Sequence, residues 1–273
     1  MKQTHKYTKP LHFYGLILVI LTLFACEKDA DIKLEEMPPS LVVESIFCDQ
    51  PDESFVRLSQ SEGFETSGNY ENITDAQVLI KDEQGNQINF QVDADGIYKT
   101  TGIALENKTY QLEITKNTKR ITATKTMLPK VVLQDFDLIL NQNTYHSKIA
   151  LFFDDPSPEK NYFKIEIYNV DQNFPDEKML IVQRFFNDYT YNAQTHKIEL
   201  PNMPYASGTY RVALFHIDKN TYDYFKTLKS IGNMRYGSSP FISSVPGNPE
   251  STIQGGIGYF FTAGISSKQK TFQ

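Results

Sequence analysis

Two cysteines, five histidines and a few paired carboxylates are the residues here whose types and spacing could do chemistry. Cys26 closes Leu23-Phe24-Ala25-Cys26, which fits the bacterial lipobox of Leu, any residue, a small residue, then Cys. In that chemistry the thiol is joined to a diacylglycerol and the chain is cut before the cysteine, which becomes an acylated N-terminus. Upstream, Lys2, Lys6 and Lys9 precede the apolar run LHFYGLILVILTLFA at 11–25 with no acid among them, the plan of a signal peptide. A helix crossing the hydrocarbon core needs about 20 apolar residues, and this run is shorter and broken by His12 and Thr22. Residues 1–25 are therefore expected to be removed and Cys26 to carry the anchor. Each buried acyl methylene is worth about 0.8 kcal/mol, so more than one chain gives stable attachment. The competing reading is an ordinary secretory signal with an incidental cysteine.

With Cys26 committed as a thioether, no intrachain disulfide is available, and Cys48 should be a free thiol, a small buried hydrophobe at a strand end. His146, His196 and His216 lie far apart, and no pair has the short spacing of a metal site. Asp93-Ala94-Asp95-Gly96 matches the opening of a calcium loop, but the twelfth position is Ala104 where a bidentate Glu is needed, so a plain turn is expected. Asp154-Asp155 has cation chemistry, yet before Pro156-Ser157-Pro158 it reads better as turn capping. Gly255-Gly256-Ile257-Gly258 lacks the strand, turn and helix setting of a phosphate cradle and should let the backbone turn tightly into the final strand. Gly-x-Ser-x-Gly is absent. The expectation is a protein with no catalytic constellation, no metal site and no cofactor.

Composition narrows the class further. Loss of residues 1–25 removes three lysines and leaves 248 residues with 24 basic and 33 acidic side chains, a net charge of −9 in place of −6. Such a chain has no electrostatic footprint for nucleic acid. The 19 Phe and 16 Tyr, with no Trp, favour strands and supply a core.

The elements that must position these residues are mostly strands. LVVESIF (41–47), SFVRLSQSE (54–62), the hairpin ITDAQVLIKDEQGNQINFQV (73–92) turning at Asp82-Glu83-Gln84-Gly85, DADGIYKT (93–100), ENKTYQLEIT (106–115) and KRITATKTML (119–128) alternate or turn as short strands do. Pro129 stops that series, and strand patterns resume at 131–140, 146–155, 161–169, 178–186, 196–201, 208–218 and 259–266. The pattern predicts an all-β chain of two tandem antiparallel sandwiches of immunoglobulin or transthyretin-like type. The divisions are 1–25 signal peptide, 26–39 lipidated acidic tether, 40–128 first sandwich and 129–273 second sandwich. One helix is expected over 219–231, with Tyr222, Phe225 and Leu228 as its buried stripe, Tyr224 and Lys226 outside it, and Gly232 as its end. A long loop at 233–256 follows. Tyr224 is the aromatic hardest to bury, and with Arg235 and Tyr236 it is read as a partner-facing patch.

The order of lipobox, LVVES, FVRLSQSE, ITDAQVLIKDEQG, GIYKT, NKTYQLEI, FFDDPSPEKNYFKIEIYN, NTYDYFKTL and NPESTIQGGIGYFFTAGISS resembles the Bacteroidota lipoproteins known as domain of unknown function 4249, over nearly the whole mature chain. Lys28, Asp29 and Asp31 behind the cysteine are similar to the surface-export signal that some Bacteroidota lipoproteins carry, though Ala30 interrupts the acids, and charge there also keeps a tether solvated. The resemblance implies a surface-facing outer-membrane lipoprotein, commonly encoded beside a TonB-dependent receptor, and supplies no catalytic residues. The expected role is a non-enzymatic binding or accessory module working with a receptor barrel in ligand capture or uptake. The alternatives are an adhesion or envelope-assembly lipoprotein that binds another protein, and a hydrolase with an unrecognised site.

Overall fold

Residue alternation explains where the strands lie and which faces they bury. The computed structural model describes residues 39–61, 72–139, 147–156, 159–170, 178–189, 195–203, 207–235 and 249–273. In β1 (Leu41–Cys48), Leu41, Val43 and Phe47 turn into one apolar core, while Ile46 and Cys48 on the opposite face enter another. The strand is thus alternating at its start, where Val42 and Glu44 are half-exposed, and continuously apolar at its end, where both faces are covered.

The N-terminal half builds two sheets. One joins β1 to β2 (Phe55–Gln60), β6 (Tyr98–Lys99) and β5 (Gln91–Val92). The other has the order β4 (Gln87–Asn89), β3 (Gln77–Asp82), β7 (Thr109–Lys116), β8 (Lys119–Thr126). Asp82 closes the β3–β4 hairpin: its Oδ1 accepts the N–H groups of Gln84 and Asn86, and Gly85 sits at φ +85°. The strand returning from that hairpin is broken where Phe90 enters the core, so β4 and β5 belong to different sheets.

The C-terminal half repeats the plan. β13 (Thr195–Met203), β10 (Ser147–Asp154) and β9 (Leu133–Ile139) form one sheet. β12 (Lys178–Asn187), β11 (Tyr162–Val170), β14 (Gly208–Ile217) and β16 (Ile265–Phe272) form the other. Phe136, Phe153, Phe163, Ile165, Tyr210 and Val212 fill the space between them. The chain is an all-β protein of antiparallel sandwich sheets, and among the described residues it has one α-helix, α1 (Lys219–Arg235).

The sequence pattern assigns 259–266 to one strand of the second sandwich, and the structure corrects this. β15 (Ile257–Ala263) pairs in parallel with β1, Tyr259 opposite Glu44 and Phe261 opposite Ile46. After Gly264 alone, β16 pairs antiparallel with β14. One continuous stretch therefore serves both halves, and Pro38–Gln273 forms one compact unit. Gly264 is required at the crossing, since a Cβ there would sit 2.7 Å from the Cβ of Lys130. Asp49 fastens the place: Oδ1 accepts the N–H of Ile265 and Oδ2 the ammonium of Lys130, each at 2.8 Å. A third core lies there, with Ile46, Cys48, Phe261 and Ala263 from the first half against Ala213, Phe215 and Ile217 of β14 and Tyr222 of the helix.

The glycine cluster acts as the turn chemistry predicts. Gly255 (φ +83°) and Gly256 would place a Cβ 2.6 Å and 2.9 Å from the carbonyl oxygens of Arg120 and Leu41. A Cβ on Gly258 (φ +120°) would overlap the Val43 backbone oxygen. These residues let β15 approach β1 and β8 at backbone distance.

Candidate binding cleft

The helix that frames the cleft starts because Asp218 caps it. Its Oδ1 accepts the Thr221 N–H at 3.1 Å and its Oδ2 the Thr221 hydroxyl at 2.6 Å. The same carboxylate takes the Lys125 ammonium of β8 at 2.8 Å. Burial works against the charge, but Lys125 and Thr221 hold the Asp218 carboxyl below the usual carboxylate range.

Aromatic contacts then seat α1 on the sheets. Tyr222 lies on Tyr162 at 5.0 Å between ring centres, and Phe225 stacks on Phe185 at 4.5 Å and packs on Tyr259 at 4.8 Å. Leu228, expected in the buried stripe, is 44% exposed. Tyr224 takes its place: half-buried, it meets Phe225 edge-on at 5.3 Å and Tyr259 at 5.6 Å. The reason is the return of β15, which supplies a partner ring on the side of the helix left open in the sequence reading. The helix also runs through Gly232 to Arg235.

Tyr224 lines a polar cleft of about 460 Å³ between α1, the outer edge of β8 and residues 250–252. Lys125, Asn220, Asp223, Glu250 and Thr252 share its wall. Burial raises the Tyr224 phenol pKa, with a further push from Glu44, and both influences raise that of Tyr259. From Tyr259 the register continues to Glu44 and Arg57, an exposed ion pair at 3.2 Å. That pair opens a second cleft of about 770 Å³, with Ser59, Gln60, Asn72 and Asp95 along it. A row Tyr224, Tyr259, Glu44, Arg57 thus links two hydrogen-bonding clefts.

Of the residues singled out from sequence, the structure brings Tyr224 to this cleft. Arg235 is the last residue of α1. Cys26, Lys28, Asp29, Asp31, Tyr236 and His146 lie outside the described residues, and His196 falls on β13. His216 is buried, its Nδ1 2.8 Å from the Pro129 oxygen and its Nε2 3.1 Å from Asn161 Oδ1. Cys48 is a free thiol at 0% exposure, donating to the Gln50 carbonyl, and burial pushes its pKa up to about 11. Asp93 caps its own turn by accepting the N–H groups of Asp95 and Ile97. Asp155 accepts the Asn161 side-chain amide at 2.9 Å. Among the described residues no group of three or more His, Cys, Asp or Glu is placed to hold a metal ion, and no helix is long and apolar enough to cross a membrane.

Thr124, Lys125, Asn220, Asp223 and Glu250 were missed as a group because they come from three separated segments. The Lys125–Asp218 ion pair and the antiparallel bridge of Gln254 to Thr122 bring them together, and no local periodicity encodes contacts between residues so far apart in sequence.

The sequence profile of the family described as domain of unknown function (DUF4249) matches residues 27–269. No curated protein matches the sequence. Among solved structures, the chain is similar to a DUF4785 family protein from Legionella pneumophila, with 12% identity, 66% of this chain and 51% of that one covered, and a TM-score of 0.26. The chain thus spans about half the length of that protein. It is also similar to a segment of two fibronectin type III domains of chicken tenascin (10% identity, 65% and 90% covered, TM-score 0.21). A DUF3823 family protein from Parabacteroides merdae gives 10%, 66% and 90%, with a TM-score of 0.23. These likenesses carry no argument about activity.

Proposed function

The chain belongs to the DUF4249 family, and from that premise we propose a non-enzymatic binding module at the outer membrane. In this reading Cys26 carries the lipid, Lys28, Asp29 and Asp31 direct the protein to the cell surface, and the folded part works beside a TonB-dependent receptor barrel in ligand capture or uptake.

The observation that carries the binding reading is the row Tyr224, Tyr259, Glu44, Arg57 joining two open polar clefts. Its chemistry is contact chemistry: hydroxyls, amides, carboxylates and a half-buried ring, the groups that fix a partner's orientation. The Cys48 thiol, whose pKa burial raises to about 11, lies in packed interior away from both clefts. The lipid and its location are supported by the lipobox and the charges behind it.

The test is affinity purification of the tagged protein from detergent-solubilised outer membrane, with mass spectrometry of its companions and of the N-terminal peptide. The expected result is acylated Cys26 and one stoichiometric receptor barrel, which Tyr224→Ala reduces. A protein recovered alone, or with adhesins or secretion components, would overturn the receptor role.

A further inference from the structure

One wall of the smaller cleft is a strand edge. β8 is the last strand of its sheet. Thr122 donates its N–H to the Gln254 oxygen at 3.1 Å and accepts the Gln254 N–H at 2.8 Å, so its backbone points away from β7. Backbone groups alternate between edges along a strand, so Thr124 and Thr126 present their N–H and C=O to the same outer side. Both residues are exposed.

The segment that pairs at Thr122 has left by then. Thr252 turns its N–H to the Gly258 oxygen at 3.3 Å, and its hydroxyl accepts the Phe260 N–H at 3.0 Å. Among the described residues the edge at Thr124 and Thr126 has no backbone partner, and Thr124 faces the cleft beside Asn220, Asp223 and Tyr224.

We infer that this open edge of β8 is a docking strand for an extended polypeptide segment of a protein partner, which continues the pairing begun by Gln254 and brings a basic side chain to Glu250. A polypeptide is the occupant because it offers N–H and C=O groups at the strand repeat. The basic side chain follows from charge. Lys125 is turned to Asp218, and Asp223 is shared with Lys219. Glu250 is left exposed with no ion pair among the described residues. The inference rests on reading the cleft as a binding surface and names the chemistry of its partner.

The experiment uses the full chain in detergent and three fluorescent peptides followed by anisotropy. They are acetyl-(Thr-Lys)4-amide, the same peptide N-methylated at alternate amides, and acetyl-(Thr-Glu)4-amide. The first should bind, N-methylation should weaken it by about tenfold or more, and the acidic peptide should bind less tightly. Thr124→Pro removes an N–H that the sheet's own ladder does not use, so it should cost the same binding. Thr124→Val changes the same side chain but keeps the backbone donor, and should recover most of the binding that Thr124→Pro loses. N-methylated peptide binding as tightly as the parent, or binding unchanged in Thr124→Pro, would overturn strand addition. If none of the peptides binds while the chain still purifies with a barrel, the edge inference fails and the receptor role stands. If the peptides bind but no barrel accompanies the chain, the receptor role alone fails.

Discussion

The Lys125 ammonium lies 2.8 Å from the Asp218 carboxylate that caps α1, so one ion pair joins the edge strand of the first half to the helix of the second. Both walls of the cleft are positioned by this contact. Asp218→Ala should cost about 2 kcal/mol or more, because a cap is worth about 1 kcal/mol and a largely buried lysine loses its partner. Asp218→Asn keeps a capping oxygen and should cost less. Because the folded-state pKa of Asp218 is depressed, its contribution is complete above the ordinary carboxylate value and is lost as pH falls through the depressed one. Urea unfolding of both variants at neutral and acidic pH checks the order, and equal costs for Ala and Asn would remove the cap from the account.

Gly258→Ala tests the parallel return of β15. The new methyl would overlap the Val43 oxygen at a positive φ, and neither atom is the tip of a flexible side chain. The expected cost is at least about 3 kcal/mol, from backbone displacement plus conformational strain. Gly85→Ala, at φ +85° with nothing within 4 Å, should cost only the strain, about 1–2 kcal/mol. A Gly258 variant as stable as the Gly85 variant would mean that the two strands do not approach this closely.

Local pattern made individual strands readable and left their partners hidden. The β3–β4 hairpin was legible because Asp82 and Gly85 encode its turn within a few residues. The double-faced burial of Ile46 and Cys48 was not, because the covering residues, Phe261 and Phe215, lie some two hundred positions away. β11 shows the same limit. Lys164 and Glu166 alternate with Phe163, Ile165 and Ile167 as a solvent face should, yet they are 3% and 8% exposed. Tyr224 was legible as an awkward aromatic, but its partner Tyr259 depended on a pairing that only the folded chain reveals.

His216 should make stability depend on pH in the mildly acidic range. Burial draws its pKa below the ordinary 6.5, with the Pro129 carbonyl and the Asp155 and Asp188 carboxylates opposing. Between the two values the unfolded chain binds more protons than the folded one, so stability is complete above 6.5 and declines as pH falls through the depressed value. His216→Asn places an amide donor where Nδ1 meets Pro129 and removes the titration, so the slope of denaturation midpoint against pH should flatten between pH 6.5 and the carboxylate range. An unchanged slope would assign that pH dependence to other groups.

The pair Lys164–Glu166 gives the sharpest contrast between removing one charge and removing both. The ammonium sits 2.7 Å from Glu166 Oε1 and lies over the rings of Phe215 and Phe261 at 4.6 Å and 5.4 Å. Glu166 also accepts the Tyr168 hydroxyl at 2.5 Å and the Gln183 amide at 3.1 Å. Burial opposes the carboxylate's charge, but Lys164 and these donors hold its pKa below the usual range. Glu166→Leu leaves a buried ammonium without its counter-charge and should cost about 3–5 kcal/mol, as should Lys164→Met for the opposite reason. Replacing both with Lys164→Met and Glu166→Leu should recover most of that loss, since two desolvated charges are exchanged for packed apolar surface. Thermal and denaturant unfolding of the cycle reads the coupling directly. Additive costs would show that water reaches the pair past the rings of Phe215 and Phe261.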